Sequence, residues 1–340
     1  MDYIFTSHPN SAQLAQYEFE QYLPNATAST WLAPGVGLLS TDLDPDQLAE
    51  TILSTPLLYT RHVFPVQLTL HADQPQDDLA KELYSFAVSQ IDYNFAYALQ
   101  ARSSHDDTAK ILLRELLPKV TKKLTDSGYQ EDNQHSDQIV SLFITADTVY
   151  AGFSFAETNL SHWNGGIPRY SHDRGAISRA EFKLKEAIET FHIDTADFKL
   201  GTDLGAAPGG WSNELLENGL KVIAIDPAHL DKRVLNNPNL HDYRETTQQY
   251  LQRHLPYEYD MIVNDMKMDV RESIGITASF APQLSDKGVG VMTFKLPHHY
   301  PYKHLRQDLD KLQTSYRLLY ARQLYHNRSE VTVVFGKKKA

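Results

Sequence analysis

The spacing of apolar and polar residues divides the chain into stretches with different periodicities. In residues 178–340, short apolar runs alternate with segments of helical periodicity, which predicts an α/β fold with a parallel, doubly wound sheet. The predicted strands are Leu200–Leu204, Val222–Ile225, Tyr259–Asn264, Gly288–Phe294, Arg317–Leu324 and Glu330–Phe335. Only a few residues separate the last two, so we expect an antiparallel hairpin at the edge of this sheet.

The N-terminal half follows a mixed α+β pattern. Residues 1–65 predict a small unit with a helix after Asp44, whose side chain can cap it. Residues 66–157 predict a second unit, in which alternating strands flank two amphipathic helices. Pro118 should kink or split the second of these helices, Thr108–Leu124. Neither unit holds a candidate nucleophile or acid–base pair, so we assign the second to substrate binding.

A connecting segment follows at residues 158–177, which are rich in Gly, Asn, Ser, His and Pro. Trp163, Arg169 and Tyr170 give it more chemistry than a simple linker needs. These side chains could stack on a nucleic-acid base or pin the segment to its neighbouring domain. We favour the second interpretation.

Composition excludes several classes of protein. The absence of cysteine rules out disulfides, thiolate zinc sites and a cysteine nucleophile, and it fits a reducing compartment. No run approaches the length of a membrane span, and the first residues lack the pattern of a signal peptide. We therefore expect a cytoplasmic protein with no membrane partner. Oligomeric state is unknown from the sequence.

The net charge of −11 belongs to one half of the chain. Residues 161–340 hold 24 Lys and Arg against 22 Asp and Glu, whereas the first 160 residues hold 8 against 21. Five of those eight basic residues lie in one predicted helix: Lys110, Arg114, Lys119, Lys122 and Lys123. Such a stripe is typical of a phosphate-binding surface and equally of a solvated helix face.

A glycine-rich turn, Asp203–Trp211, joins a predicted strand to a predicted helix. Small residues there let backbone N–H groups approach a ligand at the helix N-terminus. The sequence departs from the G-x-G-x-x-G pattern of dinucleotide folds at Ala207 and Pro208. It suits S-adenosylmethionine, with Asp203 facing the methionine ammonium and Asp226, after the next strand, taking the ribose hydroxyls. A turn that only links strand to helix is the plainer alternative.

Four charged residues can converge at one edge of the predicted sheet. Asp265 and Lys295 follow strands, Glu330 opens the last strand, and Lys183 lies on the helix before the glycine-rich turn. Each alone could be an ordinary surface charge. As a set beside a methyl-donor pocket, they are better explained by a shared role at that pocket.

The order Lys183, Asp265, Lys295, Glu330 resembles the K-D-K-E tetrad of the RrmJ/FtsJ class of ribose 2′-O-methyltransferases. The glycine-rich turn, Phe294–Pro297 and Ala321–Val333 are similar to the RlmM family, as are two stretches before the catalytic domain, Tyr150–Ser154 and Gly166–Arg169. That family methylates a cytidine ribose in large-subunit ribosomal RNA. The resemblance is strongest from about residue 150 to 336 and weakest in residues 1–65.

The resemblance implies a domain order and a set of site residues. It implies a ferredoxin-like domain (1–65), a THUMP-like RNA-binding domain (66–157), a linker (158–177) and a Rossmann-like, RrmJ/FtsJ-like methyltransferase domain (178–340). It implies catalytic roles for the tetrad, with Lys295 central, and ribosomal RNA as partner. The implied cofactor-binding residues are Ser178, Asp203, Gly205, Ala206, Pro208, Gly209, Gly210, Trp211, Asp226, Asp242 and Asp265. Among them Asp242 is placed to meet the adenine edge.

Several alternatives stay open at this point. Like-charge repulsion between Lys183 and Lys295 would lower their pKa values, whereas Asp265 and Glu330 would raise them, so Lys295 is either a general base or a stabiliser of the oxyanion. A THUMP-linked base methyltransferase and a non-catalytic RNA-binding module are the competing functions. No metal is expected, because the adjacent His298 and His299 have no carboxylate at ligand spacing.

Overall fold

The computed structural model describes residues 1–55, 57–133, 135–170, 175–253, 256–297 and 299–338. The chain divides into two compact units, an N-terminal unit Met1–Arg169 and a C-terminal unit Tyr170–Ala340. Each has its own sheets and apolar core, and each is described by itself.

The N-terminal unit contains two four-stranded sheets. The first has the order β2-β3-β1-β4, with antiparallel neighbours. The second has the order β5-β8-β7-β6, in which only β6 and β7 run parallel. The strands of the N-terminal unit are β1 Asp2–Thr6, β2 Thr27–Ala33, β3 Val36–Ser40, β4 His62–Pro65, β5 Leu68–His71, β6 Tyr97–Ser103, β7 Gln138–Ile144 and β8 Thr148–Phe155. Its helices are α1 Ala12–Tyr22, α2 Pro45–Ser54, α3 Gln76–Gln90, α4 Asp107–Asp126 and α5 Ala156–Asn159.

Local capping explains where two of these helices begin. Asp44 accepts a hydrogen bond from the Gln47 backbone N–H at 2.9 Å, and the Gln47 side chain returns a bond to the Asp44 N–H, which makes the predicted start of α2 a full capping box. The Asp106 side chain caps α4 by accepting hydrogen bonds from the N–H groups of Thr108 and Ala109. Carboxylates at these positions also complement the helix dipole.

Of the two predicted effects of Pro118, a kink or a split, the split is wrong, because α4 runs unbroken across it, and the kink stays a prediction. Loss of one backbone hydrogen bond and the ring clash cost about 3 kcal/mol. Burial of a full apolar stripe offsets that cost, at roughly 1.5–3 kcal/mol for each large side chain. The stripe consists of Leu112, Leu116, Val120 and Leu124.

The basic stripe on α4 is largely paired with acids of the same unit. Lys110 lies 2.8 Å from Asp107, Lys119 lies 2.7 Å from Asp77, and Lys122 lies 2.6 Å from Asp126. These exposed pairs contribute little to stability. They do reduce the positive potential of the helix, which favours the solvated-face interpretation.

The C-terminal unit is built on one seven-stranded sheet of order β11-β10-β9-β12-β13-β15-β14. The first five strands are parallel, whereas β15 runs antiparallel to both neighbours. The strands are β9 Leu200–Leu204, β10 Lys221–Ile225, β11 Leu240–Tyr243, β12 Tyr259–Asn264, β13 Leu284–Lys295, β14 Tyr316–Arg322 and β15 Glu330–Lys337. The helices are α6 Glu181–Thr190, α7 Gly210–Glu217, α8 Lys232–Leu235, α9 Thr247–Leu251, α10 Val270–Ala278 and α11 Tyr302–Leu312.

This topology confirms the predicted Rossmann-like α/β fold. The predicted terminal hairpin is β14 and β15, with β14 at the sheet edge. The strand order reverses between β9 and β12, and in open α/β sheets ligands bind outside the carboxyl ends of the strands at such a point. Asp203 lies near the end of β9 and Asp265 directly follows β12, so both predicted site carboxylates lie at this position.

None of the helices in the described parts of the chain has both the length and the apolar character needed to cross a membrane.

Candidate active site

The glycine-rich turn is shaped by two left-handed residues. Gly205 has φ of 76° and Gly209 has φ of 110°, a region that side chains disfavour. A Cβ atom on Gly205 would also lie 2.2 Å from the Met266 Cγ atom. Helix α7 begins at Gly210, so the turn leads directly into a helix N-terminus. Glycine is therefore required at Gly205 by backbone angle and by the packed Met266 side chain.

Asp203 is buried, with 1% exposure, beneath this turn. Its Oδ2 atom accepts a hydrogen bond from the Ser212 hydroxyl of α7 at 2.7 Å. Burial raises the pKa of Asp203 to about 7; the Ser212 hydrogen bond opposes the rise, and Asp265 and Asp226 add to it. A cation bound beside such a buried carboxyl group stabilises its ionised form. The predicted contact with an ammonium group suits this environment.

Asp226 fastens the turn from the neighbouring strand. Its Oδ2 accepts from the Ala207 N–H at 3.1 Å, and its Oδ1 accepts from the Ala228 N–H at 2.7 Å. Each carboxylate oxygen has a further lone pair that can take a ligand hydroxyl. Asp226 therefore shapes the turn and retains the capacity to hold a ribose.

Two of the predicted cofactor residues carry a buried polar atom that lacks a hydrogen-bond partner within the described structure. These atoms are Ser178 Oγ and Asp242 Oδ1. Burial raises the pKa of Asp242, and the nearby Arg244 and His229 partly offset this effect. Buried polar atoms are nearly always satisfied in folded proteins, so such atoms beside a predicted pocket mark places for ligand hydrogen bonds.

Ser178 also contacts the turn directly. A Cβ atom on Gly210 would lie 2.3 Å from Ser178 Oγ, so the hydroxyl lies against the first residue of α7. The backbone of Pro208 accepts a hydrogen bond from the Asp231 N–H at 2.9 Å, which fastens the opposite side of the turn.

Two other predicted cofactor residues have side chains committed to packing. Trp211 is 3% exposed, and its indole N–H donates to the Ala180 carbonyl at 2.7 Å. Ala206 packs in a small apolar cluster with Ala224 and Leu230. Any contact that these two residues make with a ligand would come through the backbone of the turn.

The four residues of the predicted tetrad meet in one cluster. Lys183 Nζ lies 3.3 Å from Asp265 Oδ2 and 2.6 Å from Glu330 Oε2. Lys295 Nζ lies 3.0 Å from Glu330 Oε1 and donates to Asp265 Oδ1. Each lysine thus contacts both carboxylates, and each carboxylate contacts both lysines. Their side chains are 15–17% exposed, so a substrate can reach a cluster that is otherwise shielded from solvent.

The sheet determines how these residues converge. Lys295 ends β13 and Glu330 begins β15, and the antiparallel register places the two opposite each other. Cross-strand neighbours of this kind have Cβ atoms about 5 Å apart. Asp265 follows the adjacent strand β12, and Lys183 lies in the first turn of α6. Four distant segments therefore meet at one edge of the sheet.

The carboxylates control the charge of Lys183. Burial alone would lower the pKa of this amine, but Asp265 and Glu330 outweigh that effect and raise it above the ordinary 10.5. Lys183 therefore stays cationic at neutral pH. A cationic amine has no free lone pair, so Lys183 does not remove the proton of the acceptor.

Sequence reasoning missed two polar residues that hold Asp265 and its loop. The Thr293 hydroxyl donates to Asp265 Oδ1 at 2.5 Å. Asn264 is fully buried, donates to the hydroxyls of Ser273 and Thr277, and accepts from the Met266 N–H. The available signal was spacing, since Thr293 lies two residues before Lys295 and so on the same face of β13.

Three carboxylates outside the tetrad also lie together. Glu181, Glu214 and Glu217 each place an oxygen within 4.8 Å of the others. Burial raises the pKa of Glu214 to about 7, opposed by Lys185, which makes it a poor ligand for a cation near neutral pH. Of the two adjacent histidines, His298 lies outside the described residues. The expected absence of a metal stays a prediction.

Comparison with known proteins agrees with this geometry. Residues 176–286 match the family described as FtsJ-like methyltransferase. The chain is 30% identical over 228 residues to the ribosomal RNA large subunit methyltransferase M of Pseudomonas putida strain W619, covering 62% of this chain and 61% of that protein. It is 35% identical to the protein of that name from Halorhodospira halophila over 50% of each chain. The Actinobacillus succinogenes protein of that name is 28% identical over 85% of this chain and 84% of its own length.

The doubly wound sheet, the glycine-rich turn and the tetrad define an FtsJ-like methyltransferase domain in the C-terminal unit. The chain spans about three fifths of the length of the first Pseudomonas relatives it matches. The relatives that it resembles are named ribosomal RNA large subunit methyltransferase M.

Proposed function

We propose that the protein uses S-adenosylmethionine to methylate a ribose 2′-hydroxyl in large-subunit ribosomal RNA, with a cytidine as the modified nucleotide. The observation that carries the proposal is the mutual contact of Lys183, Asp265, Lys295 and Glu330 beside the glycine-rich turn. The names of the relatives support ribosomal RNA as the substrate class.

The residues around the turn have the donors and acceptors that this cofactor needs. Asp203 would hold the methionine ammonium and Asp226 the ribose hydroxyls, and the unpartnered atoms of Ser178 and Asp242 would complete the contacts. Backbone N–H groups at the start of α7 suit the cofactor carboxylate. When bound, the cofactor supplies a methyl group activated by the sulfonium, which needs no metal.

The tetrad then handles the proton of the acceptor. A ribose hydroxyl attacks well only as its proton leaves, and Lys295 is the residue that meets this hydroxyl, either as the base that takes the proton or as the cation that stabilises the oxyanion while water takes the proton. Lys183 remains cationic and keeps Asp265 and Glu330 in place. The two carboxylates in turn hold Lys295, so its amine is oriented before the substrate arrives. Such alignment supplies a large share of rate enhancement in well-oriented reactions.

We propose the following division of labour along the chain. Residues 1–65 form a ferredoxin-like domain, residues 66–157 form a THUMP-like domain that binds RNA, and residues 158–177 connect them to the methyltransferase domain at 178–340. The three sheets fall within the first, second and fourth of these ranges. An acceptor in ribosomal RNA is compatible with the cytoplasmic location expected from the composition.

The environment of Asn264 disfavours methylation of a base. In that alternative the residues at the end of β12, the fourth strand of the C-terminal unit, must hold the amine of the base, and Asn264 is the first of these residues. Its amide group is fully buried and bonded to Ser273 and Thr277, so it is committed to the fold. The residues after it, Asp265 and Met266, provide no aromatic ring to stack on a base.

The test is transfer of labelled methyl from S-adenosylmethionine to large-subunit ribosomal RNA that lacks the modification. We expect the label in a 2′-O-methylated nucleoside, and we expect Lys295→Ala to abolish transfer while cofactor affinity is unchanged. Lys287→Ala is the matched control, since Lys287 is an exposed lysine on the same strand. Label on a base would contradict the proposal, and RNA binding without any transfer would favour the non-catalytic alternative.

A further inference from the structure

Glu186 is a buried glutamate of α6, one turn beyond Lys183, that lies outside the tetrad. We propose that Glu186 is a positioning residue for methyl transfer: it fixes the loop that delivers Glu330 to Lys183 and Lys295. This inference rests on the proposed function of the tetrad. It adds a residue that acts through Glu330 without touching the substrate.

Glu186 binds the loop through three contacts. Its Oε1 accepts from the Tyr325 backbone N–H at 2.7 Å, and its Oε2 accepts from the His326 backbone N–H at 2.8 Å. The His326 Nδ1 atom lies 2.7 Å from the same Oε2 and donates to it, because a carboxylate only accepts. With 2% exposure, Glu186 makes these charge-assisted bonds away from water, where they are strong.

The loop between β14 and β15 is braced internally, so fixing one end fixes the other. Asn327, 1% exposed, accepts from the Leu324 N–H at 2.8 Å and from the Thr332 hydroxyl at 2.9 Å. The Gln323 side chain donates to the Arg328 carbonyl at 3.1 Å. Glu330 begins β15 directly after this segment. The loop thus connects the Glu186 carboxylate to the Glu330 side chain as one body.

The same loop contacts the residue that follows Lys295. The Leu296 N–H donates to the Ser329 carbonyl at 3.1 Å. Ser329 immediately precedes Glu330, and Leu296 immediately follows Lys295. A shift of the loop would therefore disturb both lysine–glutamate contacts of the tetrad.

Three stacked rings provide a second link between α6 and the loop. The ring of Phe182 lies 5.6 Å from that of His326, and the ring of Tyr170 lies 5.8 Å from Phe182 and 5.4 Å from His326, all at small interplanar angles. Phe182 immediately precedes Lys183. His326 thus joins the helix through its ring faces and through Nδ1, and both links lie within one turn of Lys183.

Removal of the Glu186 charge should make the position of Glu330 less well defined without creating a cavity in the core. Glutamine has the same shape but keeps a single acceptor oxygen, so at least one loop N–H loses its partner. Misplacement of a catalytic group by about 1 Å can cost about a hundredfold in rate. We expect Glu186→Gln to lower kcat at least about tenfold, with little change in the affinity for cofactor.

A double-mutant cycle distinguishes positioning from general stability. If Glu186 acts through Glu330, its substitution has little further effect on kcat in a Glu330→Gln background. A merely structural role would give the same fold loss in both backgrounds, and that result would overturn the inference. Glu217→Gln, an exposed glutamate of α7, is the matched control and should leave kcat at the wild-type value.

His326 offers a test by partial rescue. Asparagine can place an amide donor near the position of Nδ1, whereas phenylalanine retains a ring and removes the donor. We expect His326→Asn to keep more of kcat than His326→Phe. The reverse order would show that the ring stack alone holds the loop, which would contradict the role of Glu186.

A measurement that needs no activity separates this inference from the proposed function. The rate at which an amine reagent labels Lys183 reports its pairing with Glu330, read by mass spectrometry of the full-length protein. Glu186→Gln should speed labelling of Lys183 as Glu330→Gln does, while Glu217→Gln should not. If the wild-type protein is inactive but Lys183 is labelled faster in Glu186→Gln, the proposed function is contradicted and the contact between the Glu186 loop and Glu330 is supported. Unchanged labelling in Glu186→Gln would sink the positioning role alone.

Discussion

Lys183 Nζ lies 2.6 Å from Glu330 Oε2, although the two residues come from the first helix and the last strand of the C-terminal unit. Glu330 also contacts Lys295, so this contact links Lys183 to Lys295 through one carboxylate. It also determines the charge of the amine, since Glu330 is one of the two carboxylates that raise the pKa of Lys183. The consequences can be measured in the stability of the protein as well as in its activity.

The first prediction concerns Lys183→Met and alkaline pH. Removing the amine leaves two carboxylates facing one lysine, and breaking a shielded pair of this kind should lower the unfolding free energy by about 2 kcal/mol near neutral pH. Because the folded-state pKa of Lys183 is raised, its contribution is complete below 10.5 and is lost as the pH rises through the higher folded value. The gap between wild type and Lys183→Met should therefore stay constant to about pH 9 and shrink at more alkaline pH.

Denaturant unfolding at a series of pH values measures this gap. Lys287→Met, at an exposed position of β13, is the control and should leave the unfolding free energy near the wild-type value. A gap that shrank as the pH fell toward neutrality would mean that the carboxylates do not raise the Lys183 pKa.

The second prediction concerns the pH dependence of cofactor affinity. Burial raises the pKa of Asp203 to about 7, so the group is largely protonated below that pH and ionised above it. An ammonium group binds the ionised form better, and affinity for S-adenosylmethionine should rise about tenfold per pH unit from about pH 5 toward pH 7. Titration calorimetry should show this rise, with proton release on binding.

Asp203→Asn isolates the source of that pH dependence. The amide does not titrate, so we expect weaker binding with little dependence on pH across the same range. Asp310→Asn, at an exposed aspartate of α11, should keep the wild-type profile. An Asp203→Asn protein whose affinity still climbed with pH would assign the titration to another group.

The third prediction separates two serines beside the turn. Ser178 Oγ has no partner among the described residues, whereas the Ser212 hydroxyl donates to Asp203. Ser178→Ala should therefore keep the unfolding free energy and weaken cofactor binding, by the roughly three- to tenfold expected for one hydrogen bond. Ser212→Ala should lower the unfolding free energy by about 1 kcal/mol, because it leaves a buried carboxyl group without its donor.

Thermal unfolding with and without cofactor distinguishes these outcomes. The cofactor-induced rise in Tm should be smaller for Ser178→Ala than for wild type, while Tm without cofactor stays the same. Equal loss of Tm in both serine variants would show that the Ser178 hydroxyl has a structural role.

The fourth prediction concerns salt. Lys110, Lys119 and Lys122 are paired with acids, and Lys337 lies 3.0 Å from Asp286, so few cations are available to neutralise RNA phosphates; of the remaining tail, Lys339 lies outside the described residues. If about four phosphates are neutralised, the logarithm of the RNA binding constant should fall with the logarithm of salt concentration with a slope of about −3. Filter binding across a salt series measures this slope. A slope near −10, as for a highly basic repressor, would contradict it.

The tetrad could be predicted from the sequence because three of its members adjoin strands. Carboxyl ends of parallel strands meet at one sheet edge, so Asp265 and Lys295 had to be close once β12 and β13 were recognised. Glu330 followed from the hairpin, since an antiparallel return brings the start of β15 opposite the end of β13. Because strands and helices alternate regularly in this fold, the positions of the strand ends can be predicted from local sequence patterns.

Features that depend on distant side chains could not be predicted in this way. The bonds from Glu186 to Tyr325 and His326, and from Thr293 to Asp265, join residues whose separation along the chain carries no local signal. The strand β11 and helix α10 were missed because Leu240–Tyr243 is short and Val270–Ala278 mixes polar and apolar residues. Pro118 shows the same limit, since tertiary burial of one helix face overcame a local preference.

In the tetrad, two lysines alternate with two carboxylates in a closed arrangement, and this alternation of opposite charges makes it a multipole. The field of a multipole decays much faster with distance than that of a single ion, so the tetrad acts strongly on an atom that touches it and hardly at all on RNA still in solution. Dissolved ions should therefore slow the arrival of RNA while leaving the rate of the bound reaction almost unchanged.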